Sequence, residues 1–123
     1  MEIQVEKKEK YAILTLKGEK LNSLTSPDLK GHFVVLHAEG VRNVVVDLSQ
    51  VEYADSSGLS ALLNGNRLCK DLNGSFVLAG VRDSVNKIIH ISQLDRVLTL
   101  TPTVKEAEDL VFMDEVERDL LNE

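Results

Sequence analysis

The spacing of hydrophobic positions changes along the chain, and each spacing predicts one kind of secondary structure. Polar and apolar residues alternate at 2–6, and residues 11–16 are rich in β-formers, so the two segments predict an antiparallel hairpin. The β-branched and apolar runs at 43–48 and 75–79 predict strands buried within a sheet. Residues 97–100 predict a last short strand.

Four further segments carry apolar residues at helical spacing. The first begins at Ser26-Pro27-Asp28, which offers a hydroxyl cap, a proline for the first turn and an acid near the positive end of the helix dipole, and Gly40 ends it. The second is predicted over residues 59–72. The third follows a cap at Asp83 or Ser84, and the fourth starts after Thr103.

Strands that alternate with helices bury a sheet under crossover helices. The predicted fold is therefore α/β: a mixed sheet of four to five strands with about four helices, an N-terminal hairpin and then alternating βα units. Residues 18–23 are predicted to be loop. The apolar stripe of the last helix rotates after Phe112, so we expect a domain at 1–112 and an acidic extension or tail at 113–123 that frays, bends or docks.

Composition and charge narrow the function classes. Of 123 residues, 43% are hydrophobic and 28% charged, as in an ordinary soluble domain. The net charge of −6 lies in residues 103–123, which we expect to be mainly a solvated acidic face. Nucleic acid is not an expected partner, because phosphate binding needs clustered basic residues. No apolar run is long enough to span a membrane and no leader is evident, so a cytoplasmic location is expected.

The segment from Asp47 to Leu62 carries the candidate chemistry, because it joins a predicted buried strand to a helix N-terminus. Its residues 55–57, Asp-Ser-Ser, stand where a helix cap belongs, and Gly58 is predicted to allow a tight turn. A hydroxyl here would lie beside unpaired backbone N–H groups and the positive end of the helix dipole.

Other kinds of site lack their motifs. The P-loop and GxSxG patterns are absent, and the three histidines have no metal-ligand spacing with one another or with Cys69. Cys69 falls on an apolar helix stripe and is predicted to be a buried, inert thiol, whereas His32 and His37 are predicted at the surface or rim. We therefore expect no metal and no cofactor.

The same segment resembles the signature of the STAS domain, specifically that of the anti-sigma factor antagonist family. In that signature a buried strand ends in aspartate, and an aromatic or aliphatic spacer precedes Asp-Ser-Ser-Gly-Leu at the start of a helix; residues 55–59 match those five letters. The resemblance runs from about Ile3 to Ala107, and the predicted element order agrees with the fold that it implies.

The resemblance implies a phosphorylation switch rather than an enzyme. In that family the second serine of the pair is phosphorylated by a partner that is both anti-sigma factor and serine kinase, and a metal-dependent serine phosphatase reverses the step. The unmodified antagonist binds the kinase and frees the sigma factor. Carried over by motif, Ser57 is the phosphoacceptor, in a phosphosite loop with Asp55, Ser56 and Gly58. We expect a monomer or weak dimer.

The partner surface is predicted from exposed polar positions near this loop. Its expected residues are Ser60, Asn64, Arg67, Lys70, Asn22 and Thr25. Ser60 replaces a glycine that many family members have, and residues 22–25 lack the acidic residue that often precedes the first helix.

Three alternatives stay open at this point. Ser57 could be a plain helix cap with no chemistry. The chain could be a STAS scaffold or accessory protein of another signalling or transport complex, without phospho-switching. An α/β hydrolase or transferase would require a histidine within hydrogen-bond reach of the Ser57 hydroxyl.

Overall fold

Residues 1–121 are the part of the chain that the computed structural model describes, and they form seven strands and four α-helices. The strands are β1 (Glu2–Lys7), β2 (Ala12–Lys17), β3 (Lys20–Leu21), β4 (Val44–Asp47), β5 (Tyr53–Ala54), β6 (Phe76–Ala79) and β7 (Thr99–Thr101). The helices are α1 (Ser26–Ala38), α2 (Ser56–Asp71), α3 (Asp83–Ile91) and α4 (Val104–Leu121).

The main sheet has five strands in the order β1-β2-β4-β6-β7. β1 and β2 pair antiparallel, as the predicted hairpin requires, and β2–β4, β4–β6 and β6–β7 pair in parallel. The parallel pairs are joined by helical crossovers, which is the expected way to connect such strands. The predicted mixed α/β fold is confirmed.

Helices cover both faces of this sheet, which explains why its central strands are mainly apolar. Val44 and Val46 of β4 join the core beneath α1, α2 and α3. Val45, between them, joins a second cluster in which Ala107 and Val111 of α4 cover the opposite face. Alternate side chains of one strand therefore enter separate cores, since successive side chains point to opposite faces.

A second, two-stranded sheet was not expected. Residues 18–23 were predicted as loop, but β3 lies within them and pairs in parallel with β5. The backbone N–H of Tyr53 also donates to the Glu19 carbonyl at 3.0 Å. Each strand has only two residues, which is too short for the side-chain alternation that makes a strand visible in a sequence.

The start of α1 differs in detail from the prediction. The N-cap is Thr25, without a side-chain cap hydrogen bond, and the Ser26 hydroxyl donates to the Asn22 carbonyl instead. Ser26 is not the cap because it already lies inside the first helical turn. Gly40 follows the helix end with φ of +79°, as predicted for a residue that stops a helix.

The acidic C-terminal segment is not simply a solvated face, contrary to expectation. α4 continues through Leu121, and residues 122–123 of the predicted extension lie outside the described residues. Glu115 is buried, and its carboxylate accepts hydrogen bonds from Arg42 at 3.0 and 2.7 Å, from Arg118 at 3.1 Å and from the Asn43 side chain. The hydrogen bonds from Arg42 contribute most to lowering the pKa of Glu115 to about 2. Glu115, whose charge was predicted from the sequence to be solvated, is thus a partner in internal ion pairs.

Candidate functional site

The start of α2 is positioned by backbone hydrogen bonds of the small sheet. Leu21 pairs with Ala54, and the Asp55 N–H donates to the Leu21 carbonyl at 3.2 Å. Asn22 and Asp55, the residues that follow β3 and β5, therefore lie at the same edge of this sheet. The first turn of α2 begins directly beyond that edge.

The loop between β4 and β5 is held from the other side by the start of α3. The Arg82 guanidinium donates to the Ser49 carbonyl at 2.7 Å and to the Glu52 carboxylate at 3.1 Å, and the Ser84 hydroxyl donates to the Glu52 carbonyl at 2.7 Å. The predicted cap at Asp83 or Ser84 is wrong. Both residues lie inside α3, whose N-cap is Arg82, so the Ser84 hydroxyl is used across the loop instead.

Asp55 is the N-cap of α2. Its backbone is extended, with φ of −98° and ψ of −172°, and its side chain accepts a hydrogen bond from the Gly58 N–H at 3.0 Å. This satisfies one of the donors that a helix N-terminus leaves unpaired. The alternative in which Ser57 is the cap is therefore wrong, because Asp55 holds that position and Ser57 lies two residues inside the helix.

Gly58 is needed for close packing rather than for a tight turn. It lies inside the first turn of α2 and is not among the residues with positive φ. A Cβ at this position would stand 2.4 Å from the Leu21 carbonyl oxygen and 2.9 Å from Leu21 Cγ. The expected turn role is therefore corrected: the absence of a side chain lets α2 approach the backbone of β3.

Ser57 is half-buried and Ser56 is exposed. Within residues 1–121 no hydrogen bond holds the Ser57 hydroxyl, and no fully buried side-chain polar atom lacks a partner, so this hydroxyl is open to solvent. It stands at the positive end of α2, where a negative group is favoured. The three histidines contact Asp28, Asp71 and Asp95 rather than Ser57.

Part of the predicted partner surface lies on the Ser57 face of α2. Steps of three or four residues along a helix share one face, and such steps lead from Ser57 through Ser60 and Asn64 to Arg67. The last three line a shallow groove of about 330 Å³, in which the Arg67 guanidinium donates to the Asn64 side chain at 2.6 Å. Lys30 of α1 completes this groove. Sequence reasoning missed Lys30, because only the packing of α1 on α2 brings it there.

The other predicted partner residues are more scattered. Lys70 is exposed near the far end of α2. Asn22 and Thr25 lie in the loop before α1, where the Asn22 side chain accepts from the Leu24 N–H at 3.0 Å and the Thr25 hydroxyl donates to the Lys20 carbonyl at 3.0 Å. Both side chains shape their own turn, and their role in partner binding stays a prediction.

The remaining titratable groups do not form a second site here. Cys69 is buried as predicted, and burial raises the pKa of its thiol to about 12. Within residues 1–121 no three His, Cys, Asp or Glu side chains are arranged to hold a metal ion. No helix in this range has the length and apolarity required to cross a membrane.

Known proteins resemble this chain in sequence and in structure. A Thermotoga neapolitana homologue of the candidate anti-sigma factor antagonist TM1081 is 29% identical over 69 residues, which cover 56% of this chain and 61% of that protein, less than two thirds of its length. The anti-sigma-B factor antagonist of Staphylococcus aureus is 24% identical over 94 residues, covering 76% of this chain and 86% of that protein.

Two solved structures share the fold. An anti-sigma factor antagonist from Mycobacterium paratuberculosis has a TM-score of 0.78 at 25% identity, with 89% of this chain and 92% of that chain covered. The phosphorylated form of the Bacillus cell fate determinant SpoIIAA has a TM-score of 0.70 at 19% identity, with 89% and 99% covered. The family model of the STAS domain matches residues 2–107. The chain therefore belongs to the STAS domain family.

Proposed function

We propose that this chain is an anti-sigma factor antagonist that binds an anti-sigma factor serine kinase while Ser57 is bare and is released when Ser57 is phosphorylated. One observation carries the proposal: Asp55 already caps α2, and the Ser57 hydroxyl in the first turn makes no hydrogen bond within residues 1–121. The Staphylococcus aureus relative is named an anti-sigma-B factor antagonist, which supports the partner class, and the SpoIIAA structure is of a phosphorylated form, which supports the switch.

The local geometry suits a removable phosphate. Ser57 is only half-buried, which supports access of an incoming phosphoryl donor. Phosphorylation adds about −1.5 to −2 charge. At the N-terminus of α2 such a group gains roughly 0.3–2 kcal/mol from the helix dipole, so the fold is expected to survive the modification. A metal-dependent serine phosphatase would restore the bare hydroxyl by hydrolysing the phosphoserine.

Phosphorylation of Ser57 is expected to weaken the interface with the partner rather than the fold. Ser57 shares a face of α2 with Ser60, Asn64 and Arg67, and a partner covering this face would have to desolvate a dianion. A loss of about 3 kcal/mol corresponds to roughly a hundredfold weaker binding. The switch therefore needs no conformational change within this chain.

The test is co-purification from the native cell, followed by binding measurements on the recovered kinase. Wild type and Ser57→Ala are expected to retain the kinase, and in the presence of ATP only wild type should be phosphorylated and released. Mass spectrometry of the peptide carrying Ser56 and Ser57 locates the phosphate. By calorimetry, Ser57→Asp should bind about a hundredfold more weakly.

Ser56→Asp is the matched control, because it places the same charge one residue away on an exposed side chain. It should weaken kinase binding much less than Ser57→Asp does. If Ser57→Asp binds the recovered partner as tightly as wild type and the peptide is never phosphorylated, the switch is refuted. That outcome would favour a STAS scaffold or accessory role in another complex.

A further inference from the structure

The second half of α4 presents apolar side chains to solvent and charged side chains to the protein. Four apolar residues on its outer side form what we call the α4 stripe: Phe112 (67% exposed), Met113 (60%), Val116 (37%) and Leu120 (65%). Glu115 and Arg118 lie on the inner side. This arrangement is the reverse of an ordinary surface helix, whose apolar stripe faces the core.

The reversed orientation is fixed by polar contacts. Besides the bonds of Glu115 to Arg42, Asn43 and Arg118, the Ser75 hydroxyl donates to the Asp114 carboxylate at 2.7 Å. Turning the helix to bury the α4 stripe would break the contacts with Arg42, Asn43 and Ser75 and turn the Glu115 carboxylate away from its buried donors, which is costly. The stripe is therefore held outward, and contiguous apolar surface of this kind marks interaction sites.

A groove adjoins the α4 stripe and gives it shape. It has a volume of about 450 Å³ and lies between the turn that connects β1 to β2 and the outer side of α4, where Phe112 and Val116 form one wall. Tyr11 lines the groove, and its hydroxyl is hydrogen-bonded to Glu108 of α4. That bond fixes the turn against the helix, so the groove is preformed.

The charges around the stripe indicate which partner fits. Glu117 and Asp119 are exposed on the outer side of α4 and have no ion-pair partner within residues 1–121, whereas Asp109 is paired with Lys105 at 2.6 Å. Across the groove, Lys8 is paired with Glu6 at 2.8 Å, and Glu9 and Lys10, which also line the groove, carry opposite charges. An incoming helix with basic residues beside its apolar side chains would meet the carboxylates of Glu117 and Asp119, whereas a second α4 or an anionic lipid surface would bring like charges together.

We propose that the α4 stripe and its groove bind a positively charged amphipathic helix of another protein. This surface is separate from the proposed phosphorylation switch, because α4 covers one face of the main sheet and α2 covers the other. All four residues of the stripe lie beyond the family match, which ends at residue 107.

The probe is a labelled synthetic helical peptide with leucines at i, i+4 and i+7 flanked by lysines, compared with the same peptide carrying glutamates in place of lysines. Fluorescence anisotropy should show saturable binding of the lysine peptide to the full chain. Phe112→Ser/Val116→Ser should bind it at least tenfold more weakly, and so should Glu117→Lys/Asp119→Lys. The two double variants test the apolar and the electrostatic contributions separately.

Ile91→Ser is the matched control, since Ile91 is 82% exposed on α3, away from the α4 stripe. It should bind the lysine peptide like wild type, and so should Ser57→Asp, which separates this proposal from the phosphorylation switch. The proposal would be overturned if wild type bound the lysine and glutamate peptides equally well. It would also be overturned if Ile91→Ser lost as much affinity for the lysine peptide as the double variants do. Two other results would contradict it. One is that wild type forms a dimer and Phe112→Ser/Val116→Ser is a monomer; the other is that the chain sediments with phosphatidylserine vesicles.

Discussion

The start of α2 and the second half of α4 both reach the surface of this molecule, but they are built in opposite ways. α2 buries Leu59 and Leu62, and its Ser57 hydroxyl has no hydrogen-bond partner within residues 1–121. α4 instead gives the inward carboxylate of Glu115 a full set of donors and leaves Phe112 uncovered. The comparison separates polar groups that support the fold from polar groups that the fold leaves free for other molecules.

The strongest test of this difference removes the Glu115 carboxylate. Glu115→Ala leaves Arg42 without its acceptor, and it leaves Arg118 and the Asn43 side chain with one fewer bond each. Removing one partner of a fully buried pair costs about 3–5 kcal/mol, and Arg42 can still reach water, so we expect a loss of about 2–3 kcal/mol. Urea denaturation at neutral pH measures it.

Glu117→Ala is the control for that substitution, since Glu117 is an exposed glutamate on the same helix. Its stability should stay within about 0.5 kcal/mol of wild type. If the two variants were equally stable, the buried ion pairs would not be what holds α4 in its reversed orientation.

The pH dependence provides an independent measurement of the same group. The pKa of Glu115 is about 2 in the folded chain, against an ordinary value of 4.5. Because the folded pKa is the lower one, the stabilisation is complete above the ordinary value and is lost as the pH falls. Wild type should lose about 2–3 kcal/mol between about pH 5 and pH 2 relative to Glu115→Gln, which has no carboxylate to protonate there. Parallel stability curves for the two proteins would contradict the assignment.

Much of the fold could be predicted because its signals are local. The β-branched run at 43–48 predicted β4, and the stop at Gly40 depends only on the backbone freedom of that residue. The Asp-Ser-Ser-Gly segment likewise lies within one short stretch, so its place at the start of α2 was predicted.

The features that sequence reasoning missed all depend on distant contacts. The burial of Glu115 requires Arg42 and Asn43, which lie more than 70 positions earlier in the chain. Lys30 joins the α2 groove only because two helices pack together. The need for glycine at position 58 could not be predicted without knowing where β3 lies, and the two residues of β3 carry no periodic signal.

Gly58→Ala tests the close approach that places the free hydroxyl. The new Cβ would meet the Leu21 carbonyl oxygen, which is backbone and cannot turn aside as a side chain could. Overpacking of this kind costs about 1–3 kcal/mol. Gly31→Ala is the matched control, since a Cβ there meets nothing within 4 Å and Gly31 is an exposed helical position. It should stabilise the chain by about 0.5–1 kcal/mol. Thermal unfolding of both variants decides whether space, rather than helix propensity, requires glycine at position 58.

The smallest expected effects separate the two side chains at the start of α2. Asp55→Ala removes the cap bond to the Gly58 N–H and should cost about 1 kcal/mol, whereas Asp55→Asn keeps an acceptor oxygen and should cost less. Ser57→Ala should change the free energy of unfolding by no more than about 0.5 kcal/mol, because its hydroxyl bonds to nothing within residues 1–121. Chemical denaturation of the three variants under the same conditions measures how far their free energies of unfolding differ. A loss for Ser57→Ala as large as that for Asp55→Ala would mean that the hydroxyl supports the helix, and the observation on which the proposed switch depends would fail.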